Sequence, residues 1–178
     1  MMTYEYDPKS PKIKELGLFL AMTLPALPLF ALSWGIGNTF AWLYRLTAAL
    51  LLTVGFAFAS RYLMRRYVYR IEPRDGVRLD APPDFVVIEQ IGKRVRTVCR
   101  VSVGDAVEIT CLTHENRKTL VESGKKKRCY VYIAGLSPAE EVLLTVLDGD
   151  EAVCIRVLAD EKLYFLLKNA IDSNKCLF

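Results

Sequence analysis

The chain has 178 residues, 52% of them hydrophobic, with 24 Lys/Arg, 20 Asp/Glu and a single histidine. The basic excess is spread evenly, five against three in residues 1–63 and nineteen against seventeen in the remainder. That balance excludes a nucleic-acid partner held by bulk positive charge, and there is no internal repeat or low-complexity segment.

Residues 1–15 are polar and include Pro8 and Pro11; they are expected to form a short extended or disordered cytoplasmic tail. Residues 16–63 then hold two apolar stretches joined by an uncharged loop, the pattern of a transmembrane helical hairpin. The first, 16–34, has no charge, and as a helix it reaches about 28 Å, close to the hydrocarbon core of about 30 Å. The second, 40–63, has Arg45 near its start and Arg61 near its end, where long aliphatic stems let the charge snorkel to an interface. Residues 35–39 (GIGNT) read as a tight turn. Trp34 and Trp42 flank it and Tyr44 follows, rings that favour the headgroup level.

Two other readings of the hairpin fare worse. Two adjacent spans without an interior acid are hard to bury in so small a soluble protein. A cleavable signal peptide would need a small-residue cleavage site, and a second span would not follow at once.

Both spans should be helical, because lipid offers the backbone no partners. Pro25 and Pro28 predict a kink near the middle of the first. In the second, Ala48, Leu52, Gly55 and Ala59 share one face. That face suits close approach of the first helix, or of a second copy in a homo-oligomer, and the intramolecular pairing is favoured. Lys9, Lys12 and Lys14 precede the hairpin and Arg61, Arg65, Arg66 and Arg70 close it, while the loop has no Lys or Arg. The positive-inside rule therefore predicts a multi-pass cell (inner) membrane protein with both termini cytoplasmic. The five scattered cysteines would then be reduced and packed as small apolar side chains.

Residues 64–178 read as one cytoplasmic domain. Strands are expected at 65–72, 84–91, 94–103, 106–112, 128–134, 141–147 and 151–158. In the third, Val95, Thr97, Cys99 and Val101 alternate with Arg94, Arg96, Val98 and Arg100. Gly92-Lys93, Gly104-Asp105 and Asp148-Gly149-Asp150 mark turns. Residues 113–127 form a polar insert, read as a solvated loop. A last amphipathic helix starts from Asp160 as N-cap and places Leu163, Leu166, Leu167, Ala170 and Ile171 on one side; Leu166 and Leu167 are the expected buried contact.

Seven strands and a C-terminal helix are the order of a pleckstrin-homology-like barrel, two bent antiparallel sheets with a helix at one open corner. The chain resembles the bacterial PH-like domain membrane proteins, in which a short transmembrane hairpin precedes such a domain. Residues 67–72 (YVYRIE), directly after the hairpin, and 98–109 (VCRVSVGDAVEI) carry the resemblance. It implies a membrane-anchored α+β architecture: tail 1–15, hairpin 16–63, and a seven-stranded antiparallel PH-like barrel with a C-terminal helix over 64–178. The family's function is largely undefined, so the resemblance implies no activity.

No catalytic set stands out. Cys111 and His114 make one C-x-x-H pair, but zinc needs four ligands and no second pair is near; a surface histidine is the plainer reading. No other histidine is present to serve a cysteine nucleophile. The acid pairs Glu140-Glu141, Asp148/Asp150/Glu151 and Asp160-Glu161 sit at predicted turns and helix starts, where carboxylates satisfy backbone donors. No cofactor is expected. The basic residues are more suggestive. Arg61, Arg65, Arg66 and Arg70 are candidate membrane-surface contacts, each worth on the order of 1 kcal/mol against anionic headgroups, or else fix topology alone. Lys125, Lys126, Lys127 and Arg128 are candidate partner or headgroup contacts, or a solvated loop. Arg74 and Arg78, in the loop after the first strand, are diluted by Asp75 and Asp80. The chain reads as a non-enzymatic integral membrane protein whose cytoplasmic domain binds or scaffolds a protein partner or lipid headgroups. The alternative is a small subunit of a membrane transport or processing complex.

Overall fold

The computed structural model describes residues 3–8, 12–35, 38–74, 82–113, 128–136, 140–149 and 151–175. It divides into a helical unit, 10–65 with 134–136, and a sheet unit, 1–9 with 66–133 and 137–178.

The helical unit holds α1 (Ile13–Thr23), α2 (Ala26–Gly35), α3 (Asn38–Phe58) and a π-helical turn, Ala59–Leu63. The expected kink is a break at Leu24-Pro25. Leu24 still donates to Leu20 O at 2.8 Å, but Pro25 has no N–H to continue the ladder. Pro28 lies in the first turn of α2, where a backbone donor has no intrahelical acceptor in any case. Taken across the break, Ile13–Gly35 and Phe40–Leu63 are two segments long and apolar enough to cross a membrane.

The buried stripe of α3 is Ala41, Ala48, Gly55 and, in the π turn, Ala59. Leu52, expected on that stripe, is exposed. Ala41, Ala48 and Gly55 repeat every seven residues, the spacing of a left-handed helix crossing. A Cβ on Gly55 would lie 2.6 Å from Thr23 Cγ2, so the glycine sets how closely α1 approaches. Thr23, Thr47 and Thr53 each return their hydroxyl to the carbonyl four residues back, at 2.8–2.9 Å. Lys12 Nζ donates to the carbonyls of Tyr62, Leu63 and Arg65 at 2.7, 3.0 and 2.7 Å. It caps the carbonyl end of the α3–π helix, where the dipole favours a cation. Buried Glu15 accepts from Leu136 N at 3.0 Å.

The sheet unit holds eight strands among the described residues, and not the expected seven-stranded antiparallel barrel. They are β1 (Tyr4–Tyr6), β2 (Arg65–Glu72), β3 (Asp84–Ile91), β4 (Arg94–Ser102), β5 (Ala106–Leu112), β6 (Cys129–Val131), β7 (Glu141–Asp148) and β8 (Glu151–Leu158). They form two separate sheets, ordered β1-β2-β3-β4 and β5-β7-β8-β6. Three differences from expectation have physical causes. The tail supplies β1, antiparallel to β2 with Tyr6 opposite Tyr69, which gives the β2 edge backbone partners. β6 runs parallel to β8, because β5 and β6 point the same way from opposite edges of their sheet. Of the insert joining them, residues 114–127 lie outside the described residues.

Third, a bulge at Val98 shifts the β3–β4 register: Val87 faces Cys99 and Ile88 faces Thr97. One extra residue exchanges the faces of a strand. Arg94 and Arg96 therefore share the inner face with Cys99 and Val101. Val95 and Thr97 turn outward, so Val95 is 62% exposed.

Gly92 opens the β3–β4 turn at φ +58° and Gly149 the β7–β8 turn at φ +63°, the sign that two-residue hairpins require at their first position. Val103–Asp105 is a 3₁₀ turn between the sheets. The core joins Tyr69 and Phe85, stacked at 6.4 Å, with Val87, Leu144, Ile155 and Val157. The final helix, α4 (Glu161–Lys175), packs against β5 and the 3₁₀ turn. Asp160 caps it as expected, with Oδ1 accepting from Leu163 N at 2.8 Å. Leu163, Leu167 and Ile171 are its buried stripe, whereas Leu166 is half-buried.

Candidate functional site

Arg61, Arg65, Arg66 and Arg70 do not stand as four free cations. Arg66 pairs with Asp7 at 3.2 Å. Arg70 bridges Glu5 at 2.7 Å and Glu72 at 2.9 Å, contacts that raise its pKa further. Both arginines therefore fasten the β1 segment to β2. Arg61 stacks over the Tyr62 ring at 5.7 Å, and Arg65 is half-buried at the start of β2. Arg128 lies 3.8 Å from Glu151, both well exposed, a contact worth little in water. Lys125, Lys126 and Lys127 lie outside the described residues, as do Arg78 and His114.

A cleft of about 440 Å³ opens between the two sheets. Its walls are the inner residues of β4 (Cys99, Val101) and the facing residues of β7 and β8 (Val146, Val153, Ile155). Tyr130 and Tyr132, stacked at 6.4 Å, line one side. Arg74, Arg100, Asp84, Asp105 and Asp148 supply charge. Among the described residues, β4 and β6 are each the edge of their sheet.

The cleft's polar groups are arranged to hold position. Arg100 reaches Glu72 at 3.4 Å and Asp84 at 3.9 Å. Tyr132 donates to the carbonyl of the bulged Val98 at 3.4 Å, and its own carbonyl accepts from Tyr69 at 2.6 Å. Burial, reinforced by Cys99, pushes the Tyr132 phenol up to about 12. Burial likewise raises Cys99. Both side chains are neutral near pH 7 and offer the cleft apolar surface and hydrogen bonds. Among the described residues no group of three or more His, Cys, Asp or Glu is placed to hold a metal.

Of the charged residues weighed from sequence as candidate chemistry, Arg74 and Asp148 line this cleft. Tyr130 and Tyr132 alternate with Cys129 and Val131 in the sequence, but nothing local shows that their side faces a gap between sheets. Comparison with protein-family models, with curated proteins and with solved structures finds no match.

Proposed function

We propose that this chain is a non-enzymatic integral membrane protein whose sheet domain, on the cytoplasmic side, binds or scaffolds a partner through the inter-sheet cleft. One observation carries the membrane reading. The most apolar windows of the two candidate spans are only 11% and 17% buried within the protein. Leu27, Phe30, Trp34, Leu50 and Phe56 face outward, and exposing such a band to water is unfavourable by about 25 cal/mol per Å². The core helix of a soluble protein would bury those side chains. The Lys/Arg asymmetry favours both termini in the cytoplasm of a cell (inner) membrane.

The sheet domain is read as a PH-like variant: two antiparallel-rich sheets with a C-terminal helix, extended by β1 and by the parallel β6. The cleft supports binding over catalysis. It combines aromatic faces and aliphatic walls with two arginines, and its thiol and phenol are held protonated and uncharged near pH 7. Any lipid headgroup attraction is weak, because Arg66 and Arg70 are occupied by Asp7 and Glu5.

The test is a photo-activatable side chain at Leu147, which is exposed and lines the cleft, in the full chain in its own membrane. Val95, exposed on the outer face of β4, is the control. A defined adduct at position 147 and none at 95 is expected. Equal labelling at both, with stoichiometric membrane proteins co-purifying through the hairpin, would instead favour a subunit of a transport or processing complex.

A further inference from the structure

β6 is the shortest strand of its sheet, and it places a cysteine directly beside another. Cys129 and Cys154 are partners in the parallel β6–β8 ladder. Hydrogen bonds on both sides fix that register: Cys154 N donates to Arg128 O at 2.8 Å, and Tyr132 N to Arg156 O at 3.0 Å. Neighbouring strands lie about 4.8 Å apart, inside the Cα separation of about 4.4–6.8 Å that a disulfide spans. Side chains of paired residues leave the sheet on the same face.

The two thiols differ in access. Cys129 is exposed, whereas Cys154 is buried, with its sulfur 4.0 Å from Thr145 Oγ1. Burial, with Cys154 beside it, raises the Cys129 pKa, and the Arg156 guanidinium, itself paired with buried Glu141, offsets only part of that rise, so it is exposure rather than a lowered pKa that opens Cys129 to an oxidant. No other described cysteine competes for Cys154. Cys111 is aligned with Val142, on β5, two strands from β8 and on the other face, and Cys99 belongs to the other sheet.

We propose that Cys129 and Cys154 form a peroxide-responsive dithiol. Cys129 attacks hydrogen peroxide: its sulfur gains an oxygen, the O–O bond breaks, and one water leaves. The Cys154 sulfur then attacks the Cys129 sulfenic sulfur; the S–S bond forms, the S–O bond breaks, and the hydroxyl leaves as a second water with the Cys154 proton. Both cysteines are oxidised by one electron each, and the peroxide takes up the pair. A small thiol restores the reduced state by exchange. The bond staples the edge strand to β8, and so fixes the strand whose Tyr130 lines the cleft.

The experiment treats the full chain in its membrane with hydrogen peroxide, removes the oxidant, alkylates free thiols and maps the digested peptides. Two of the five cysteines should escape alkylation, in a Cys129–Cys154 peptide that a phosphine reductant separates. Unchanged alkylation of both, Cys129 sulfinic acid without a linked peptide, or linkage to another cysteine would each overturn the proposal. Cys154→Ala supplies the second arm. Without its resolving thiol, Cys129 sulfenic acid should accumulate and be trapped by dimedone several-fold more than in the wild type. Equal trapping would show that Cys154 does not resolve it. If that variant does not fold, the wild-type peptide map alone decides.

Discussion

Glu89 lies on the inner face of β3, 2% exposed, and groups from two neighbouring strands meet its charge. Arg96 of β4 donates through Nε at 2.7 Å, and Tyr67 of β2 donates its hydroxyl at 3.3 Å. The Arg96 side chain is itself 71% exposed, so the pair is screened from the water side and weaker than a fully buried one. Losing the arginine still leaves a buried carboxylate short of a donor. Arg96→Ala should therefore cost about 1–3 kcal/mol, and Glu89→Gln, which removes the charge as well, less. Denaturation of the full chain in detergent compares them; a larger loss from Glu89→Gln would show that the arginine is incidental. Tyr4 is a second single-residue test. Its hydroxyl donates to Asp160 at 2.6 Å and its ring sits under Lys162 at 4.8 Å. The Asp160 hydrogen bond, with burial and the same carboxylate's charge, pushes the phenol from 10.0 up to about 12. A pKa raised on folding favours the neutral form, so this stabilisation is complete below about pH 10 and is lost as pH rises through about 12. Stability measured across that window should fall, and Tyr4→Phe should flatten part of the fall; an identical profile in the variant would remove Tyr4 from the account.

At the level of the element, periodicity was informative where one partner sets the face, and misleading where a bulge intervenes. The alternation in β2 is met, with Tyr67, Tyr69 and Ile71 buried. The equally clean alternation of β4 is not, because Val98 interrupts it and no residue type announces a bulge. In α4 the helix and its cap were legible from Asp160 and the leucine spacing. Which leucines are buried depends on how the helix is rotated against β5, and no local pattern fixes that rotation. Leu167 is fully buried and Leu166 only half. Leu167→Ala should thus cost about 2–5 kcal/mol and Leu166→Ala clearly less. Equal losses in denaturant midpoint would mean that the stripe has been misassigned.

For the molecule as a whole, the two long apolar helices were legible because each is a nearly uninterrupted apolar window. The partners of Lys12 and Glu15 were not, since backbone carbonyls some fifty residues on and the amide of Leu136 leave no mark in the sequence near them. The cleft was hidden for the same reason: its walls are β4 of one sheet and β6, β7 and β8 of the other, which come later in the chain. The largest consequence concerns how the sheet domain can be isolated. A chain cut at residue 64 looks complete by its strand count, yet it discards β1. Tyr6, stacked on Tyr69 at 6.2 Å, goes with it, as do the carboxylates that hold Arg66 and Arg70. The β2 edge is then left with unpaired donors and acceptors, which invites association between chains. In the native register Tyr4 faces Ile71 and Tyr6 faces Tyr69, so the ends of β1 and β2 nearest the spans lie side by side. Replacing residues 9–65 by a glycine-containing loop of about 2–5 residues would turn β1 and β2 into an ordinary hairpin. We expect that chain to be a soluble monomer with a cooperative thermal transition, and residues 64–178 alone to unfold at lower temperature or self-associate. Equal melting temperatures with both monomeric would show that β1 is an ornament on the sheet; failure of both to fold would place part of the core in the spans.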